Sequence, residues 1–126
     1  MKAITIISAK PIDLTTLSNG CREIGTVDLR QKRFVVEGEW GWFAVEQDQR
    51  INESFDGSQA RRLRALVGEP NFALLEYIND RAAELAIDLL SLDDDIFIDN
   101  DHGLVASLGE IRRRIRAGEN WQTAPN

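Results

Sequence analysis

Phe72-Ala73-Leu74-Leu75-Glu76-Tyr77-Ile78-Asn79-Asp80-Arg81-Ala82-Ala83-Glu84-Leu85-Ala86-Ile87-Asp88-Leu89-Leu90 is the stretch on which the fold turns. Residues 72–78 form an apolar run of strand length. Asp80 is placed to cap a helix. Beyond it Ala82, Leu85, Ala86, Leu89 and Leu90 recur at i, i+3, i+4, i+7 and i+8, which lines one face of an α-helix with apolar side chains.

Towards the N-terminus, Ser58 caps a further expected helix to about Val67. Ala60, Leu63, Leu66 and Val67 lie on one side, Arg61, Arg62 and Arg64 on the other, and Gly68 and Pro70 end it. Residues 23–37 alternate in part, with Ile24, Val27, Leu29, Phe34 and Val36 set among Arg22, Asp28, Arg30, Lys32 and Arg33, and read as one or two half-exposed strands. Trp40 to Val45 reads as the next strand of a meander, with Trp40 and Trp42 on one face and Gly41 and Phe43 on the other. Residues 2–9 are β-branched and apolar and predict a first strand. Pro11 and Asp13 then open a short helix through Leu14 and Leu17 that Asn19-Gly20 stops.

Towards the C-terminus, Ile96-Phe97-Ile98 and Leu104-Val105-Ala106 flank Asn100-Asp101-His102-Gly103, residue types that suit a hairpin turn. Ser107-Leu108-Gly109-Glu110 matches the capping box, in which hydroxyl and carboxylate each satisfy an end amide. The helix it opens carries Ile111 and Ile115, places Arg112, Arg113, Arg114 and Arg116 toward its C-terminal end, and stops at Gly118. The expected architecture is a single α+β domain over 1–126, a mostly antiparallel sheet with three to four helices packed on it. Residues 119–126 read as a loose tail, from which Trp121 is able to dock on the body.

The chain has 126 residues, 21 acidic against 15 basic, a net charge of −6 and a hydrophobic fraction of 43%, the profile of one globular domain. No run approaches the roughly 20 apolar residues of a membrane span. The start, Met1-Lys2-Ala3-Ile4-Thr5-Ile6-Ile7-Ser8, is too short for a signal-peptide core. Cys21 stands alone, so no intrachain disulfide forms. A soluble cytoplasmic protein without cofactor or bound metal is the expectation.

Dedicated chemistry is sparse. His102, flanked by Asp99 and Asp101, is the single histidine. It suits acid–base work or metal ligation, but a catalytic metal site usually takes about three protein ligands, and Ile98 stands where a calcium loop needs its first Asp. Cys21 lacks a Cys-x-x-Cys partner, and no dinucleotide fingerprint, P-loop or nucleophile elbow is present. Nucleic-acid binding is disfavoured by the overall charge.

Charge pattern says more. Between residues 76 and 101 lie Glu76, Asp80, Glu84, Asp88, Asp93, Asp94, Asp95, Asp99 and Asp101 against one cation, Arg81, a segment charge of −8 in an otherwise nearly balanced chain. Asp80, Glu84 and Asp88 make one outer helical stripe, where like charges repel by a few tenths of a kcal/mol per pair. A solvated acidic face partly neutralised by the last helix's arginines accounts for this, and so does a docking surface for a basic partner.

The run Ile96 to Gly103, then Ser107 to Arg116, then Asn120-Trp121, resembles small bacterial immunity proteins of contact-dependent growth inhibition, a resemblance that covers the chain from Phe72 onward. It implies a cytoplasmic, non-enzymatic domain whose partner is a cognate toxin domain, often a basic nuclease. It assigns no individual residue. The acidic segment supplies the expected contact set: Glu84, Asp88, Asp93, Asp94, Asp95, Asp99 and Asp101, with Trp42 as an aromatic anchor. Two alternatives stay open, a small enzyme centred on His102 and a structural or regulatory adaptor.

Overall fold

The computed structural model describes residues 2–47, 65, 68, 70–90, 96–100 and 104–123. Among them the chain runs β1 (Lys2–Ser8), α1 (Leu14–Gly20), β2 (Thr26–Leu29), β3 (Arg33–Gly38), β4 (Gly41–Gln47), β5 (Asn71–Tyr77), α2 (Asp80–Leu90), β6 (Ile96–Asp99), β7 (Val105–Ser107) and α3 (Leu108–Ala117). The strands form one sheet in the order β2-β3-β4-β5-β1-β6-β7, every pairing antiparallel. The α+β class is as expected, with three helices among the described residues; the helix expected over 58–67 falls outside them, apart from Ala65.

Strand periodicity sets what lies on each face. Ile4 and Ile6 of β1, Phe34 and Val36 of β3, Phe43 and Val45 of β4, Leu75 and Tyr77 of β5, and Ile96 and Ile98 of β6 share one face. There they pack with Leu14, Ala82, Ala83, Ala86, Ile87, Leu90, Leu108 and Ile111 from the three helices. On the opposite face Ile7 and Phe72 are buried, with Ala9, Phe97 and Val105 packed against them.

Helix ends follow side-chain chemistry, with two departures from expectation. Asp13 caps α1 by accepting from the amides of Thr15 and Thr16 at 3.0 and 3.2 Å. Asp80 does not cap α2. It is the first helical residue, and Asn79 accepts from the Ala82 amide at 2.8 Å while its Nδ2 donates to the Trp40 carbonyl at 2.9 Å. The side chain that ties the helix to the β3–β4 turn is the one that caps it. The buried face of α2 is Ala82, Ala83, Ala86, Ile87 and Leu90, so Leu85 and Leu89 sit at its margin.

In α3, Ser107 Oγ accepts from the Glu110 amide at 3.2 Å and Gly118, at φ 71°, closes the helix. The reciprocal half of the capping box is replaced. Glu110 turns to Arg113, at 2.9 and 3.0 Å, and to Arg114 at 3.1 Å, where two guanidiniums supply three N–H donors and full opposite charges in place of one amide.

The aromatic strand is also rearranged. Gly38 and Gly41 pair, which leaves Glu39 and Trp40 as the two-residue turn of the β3–β4 hairpin. Trp40 is therefore not a strand neighbour of Trp42. Its indole folds back over Gly38, donates from Nε1 to the Ile24 carbonyl at 2.9 Å, and stacks on Phe43 at 5.6 Å. A Cβ on Gly38 would lie 2.5 Å from that Nε1. Trp42 stays on β4 and faces the other way, opposite Glu37.

The C-terminal segment docks through Trp121, which is 4% exposed and part of the main core. Asn100, also buried, holds it: Nδ2 donates to the Trp121 carbonyl at 2.9 Å, Oδ1 accepts from the Leu104 amide at 3.1 Å, and its own amide donates to the Leu104 carbonyl at 3.1 Å. Asn100→Ala leaves a buried amide and a buried carbonyl without these partners, at about 1–3 kcal/mol each. The expected loss in urea-unfolding free energy is about 2–6 kcal/mol; a loss within 0.5 kcal/mol, typical of surface sites, contradicts this clamp.

The Glu110 cluster carries a pH signature. Its hydrogen bonds from Arg113 and Arg114 hold the carboxyl down to about 2, from an ordinary 4.5. A carboxyl held low in the folded state stabilises above its unfolded value and loses that contribution as pH falls from about 4.5 to about 2. Wild type is therefore expected to be more stable than Glu110→Gln at neutral pH, with the difference shrinking across that acid window in paired thermal melts. A difference that is constant with pH contradicts the assignment.

Candidate partner-binding surface

α2 presents the acidic stripe to solvent. The side chains of Asp80, Glu84 and Asp88 are 68%, 38% and 64% exposed. Each has a neighbouring cation: Lys2 lies 3.6 Å from Asp80, Arg81 3.8 Å from Glu84, and Arg112 of α3 3.7 Å from Asp88. The expected neutralisation by the last helix is thus realised at one position, Asp88. Asp80 also accepts from Gln122 Nε2 at 2.9 Å, and this bond first, then Lys2, holds its carboxyl below the ordinary value. Gln122 Oε1 in turn accepts from the Tyr77 hydroxyl at 2.8 Å, and burial, with Asp80 nearby, pushes that phenol up to about 12.

Between α2 and α3 runs a groove of about 310 Å³, lined by Arg81, Glu84, Asp88, Arg112, Ile115 and Arg116. Arg112 Nε is buried there without a hydrogen bond, because the Asp88 carboxylate stands beyond bonding distance. A second cleft, of about 500 Å³, lies beside the start of α1 and the β2–β3 turn.

The sheet divides the remaining expected contact residues. Asp99 of β6 and Glu76 of β5 point to the face opposite the helices, as does Trp42 of β4. Glu76 is no free acid: its side chain is 13% exposed and bonds Arg33 Nη1 at 2.9 Å, and Glu46 lies 3.7 Å from the same nitrogen. Arg33 therefore sits between carboxylates from two neighbouring strands, a cross-sheet pairing that residue order does not reveal. Glu84 and Asp88 are thus brought together on α2, and Trp42 and Asp99 are separated from them by the sheet. Asp93, Asp94, Asp95, Asp101 and His102 lie outside the described residues.

Among the described residues no group of three or more His, Cys, Asp or Glu side chains is placed to hold a metal ion, and no helix is long and apolar enough to cross a membrane. Cys21 follows α1 inside the core, its Sγ 3.2 Å from the Leu17 carbonyl, and burial pushes the thiol up to about 11. Reactivity needs the thiolate, so the native thiol is expected to resist Ellman's reagent at about pH 8 and to react in full once urea unfolds the chain. Rapid reaction of the native protein contradicts this burial.

No family model, curated protein or solved structure matches the chain.

Proposed function

We propose that this chain is a non-enzymatic immunity protein that binds and neutralises a basic bacterial toxin domain, with the exposed face of α2 as its docking surface. The observation that carries the reading is the acidic stripe itself, three carboxylates one helical turn apart and open to solvent. Like charges at this spacing oppose the helix, and a cationic partner turns that cost into binding energy. The pairs with Lys2 and Arg81 are exposed and worth about 0–1 kcal/mol each, so a partner's lysines or arginines displace them readily. Asp93, Asp94 and Asp95 continue the acidic run beyond α2 in the sequence and belong to the same reading. Trp42 and Asp99, on the far side of the sheet, do not.

Charge complementarity of this kind acts chiefly on encounter, raising association rates that salt then screens. Co-expression with the toxin domain encoded beside it is expected to restore growth. In stopped-flow mixing with that domain, Glu84→Gln/Asp88→Asn is expected to slow association about 3–10-fold at low salt and to leave dissociation nearly unchanged. Trp42→Ala is expected to leave the association rate as it is. Tight binding indifferent to salt and to the α2 substitutions contradicts the acidic-face reading, and absence of both protection and binding contradicts the immunity reading.

A further inference from the structure

We infer that β2 is a self-complementary edge through which two copies of this chain join their sheets. β2 ends the sheet, paired only with β3 among the described strands. The Arg30 amide donates to the Arg33 carbonyl at 2.8 Å, which fixes the alternation: Thr26, Asp28 and Arg30 turn their backbone groups inward to β3, and Val27 and Leu29 turn theirs outward. Unpaired outward groups on an edge are a template for another strand.

Side-chain chemistry selects the register. Around a two-fold axis every residue-centred antiparallel register sets outward-facing residues opposite outward-facing ones, so the side chains choose among them. Centred on Leu29, the pairing sets Asp28 opposite Arg30 of the second copy, twice, on one face of the joined sheet. It also sets Leu29 against Leu29 on the other face. Leu29, at 37% exposure, is one of two large apolar side chains exposed among the described residues. Asp28 and Arg30 are exposed and already 3.1 Å apart within one chain, so the dimer assembles four alternating charges. Centring on Val27 places Asp28 opposite Thr26 and Leu29 opposite Gly25, with no ion pair. Centring on Asp28 lets Val27 and Leu29 bond across the seam but opposes two carboxylates, which repel. The other edge offers less: β7 has three residues, and Ser107 already caps α3.

Equilibrium sedimentation of the full chain tests this, and does so without the toxin. Wild type is expected to show a concentration-dependent dimer by about 1 mM, where an association of about −4 kcal/mol is measurable. Asp28→Arg, which sets guanidiniums against each other, is expected to be monomeric, and Asp28→Arg/Arg30→Asp, which restores opposite charges, is expected to dimerise again. The double variant also shows that loss in the single one is not misfolding. A wild type that stays monomeric over this range, a dimer untouched by Asp28→Arg, or a double variant that remains monomeric overturns the inference.

Discussion

Everything in this fold leans on β1, the first strand in sequence and an interior strand in space. It pairs over its whole length with β5, about seventy residues later in the chain, and over its second half with β6. Ile4 and Ile6 fill the core beneath the helices, and Ile7 is buried on the opposite side. An interior strand buried on both faces needs apolar side chains in both phases, which explains why the Ile4-Thr5-Ile6-Ile7 run does not alternate cleanly. Each buried isoleucine contributes about 1.5–3 kcal/mol, and β1 is the strand that joins β5 to β6 in the sheet.

That arrangement also distributes the charge. A segment of net −8 suggests one acidic face when read along the chain, but its described acidic residues are divided among β5, α2 and β6. Strand parity turns Glu76 and Asp99 away from the helices, and α2 carries Asp80, Glu84 and Asp88 out on the helix side. Arg33 takes up Glu76 from a neighbouring part of the meander. What α2 itself carries outward is a smaller and better-defined stripe, flanked by α3's arginines across a shallow groove.

Much of this was legible in the sequence because it is local. The β5–α2 succession, the strand character of 23–37 (read as one or two strands, and two in the fold), the Ser107 cap and the Gly118 stop each follow from residue spacing or a single side-chain bond. What was not legible depends on distant partners. Trp40 reads as a strand residue until Gly38 and Gly41 close a turn beneath it and the Ile24 carbonyl takes its indole N–H. Asp80 has the right chemistry for a cap, but Asn79 holds the post because its amide also reaches Trp40. Of the expected contact set, the Glu84–Asp88 pair was readable from helical spacing. The separation of Trp42 and Asp99 from it was not, because sheet order and register decide it.

The claim that α2, rather than the far face of the sheet, is where a basic protein docks is most directly tested by hydrogen–deuterium exchange on the complex with the toxin domain. Slowed exchange is expected at the α2 amides of residues 80–90 on binding, with the β3–β4 hairpin around Trp42 unchanged. Protection confined to that hairpin and the Asp99 strand, with α2 exchanging as in the free chain, contradicts it.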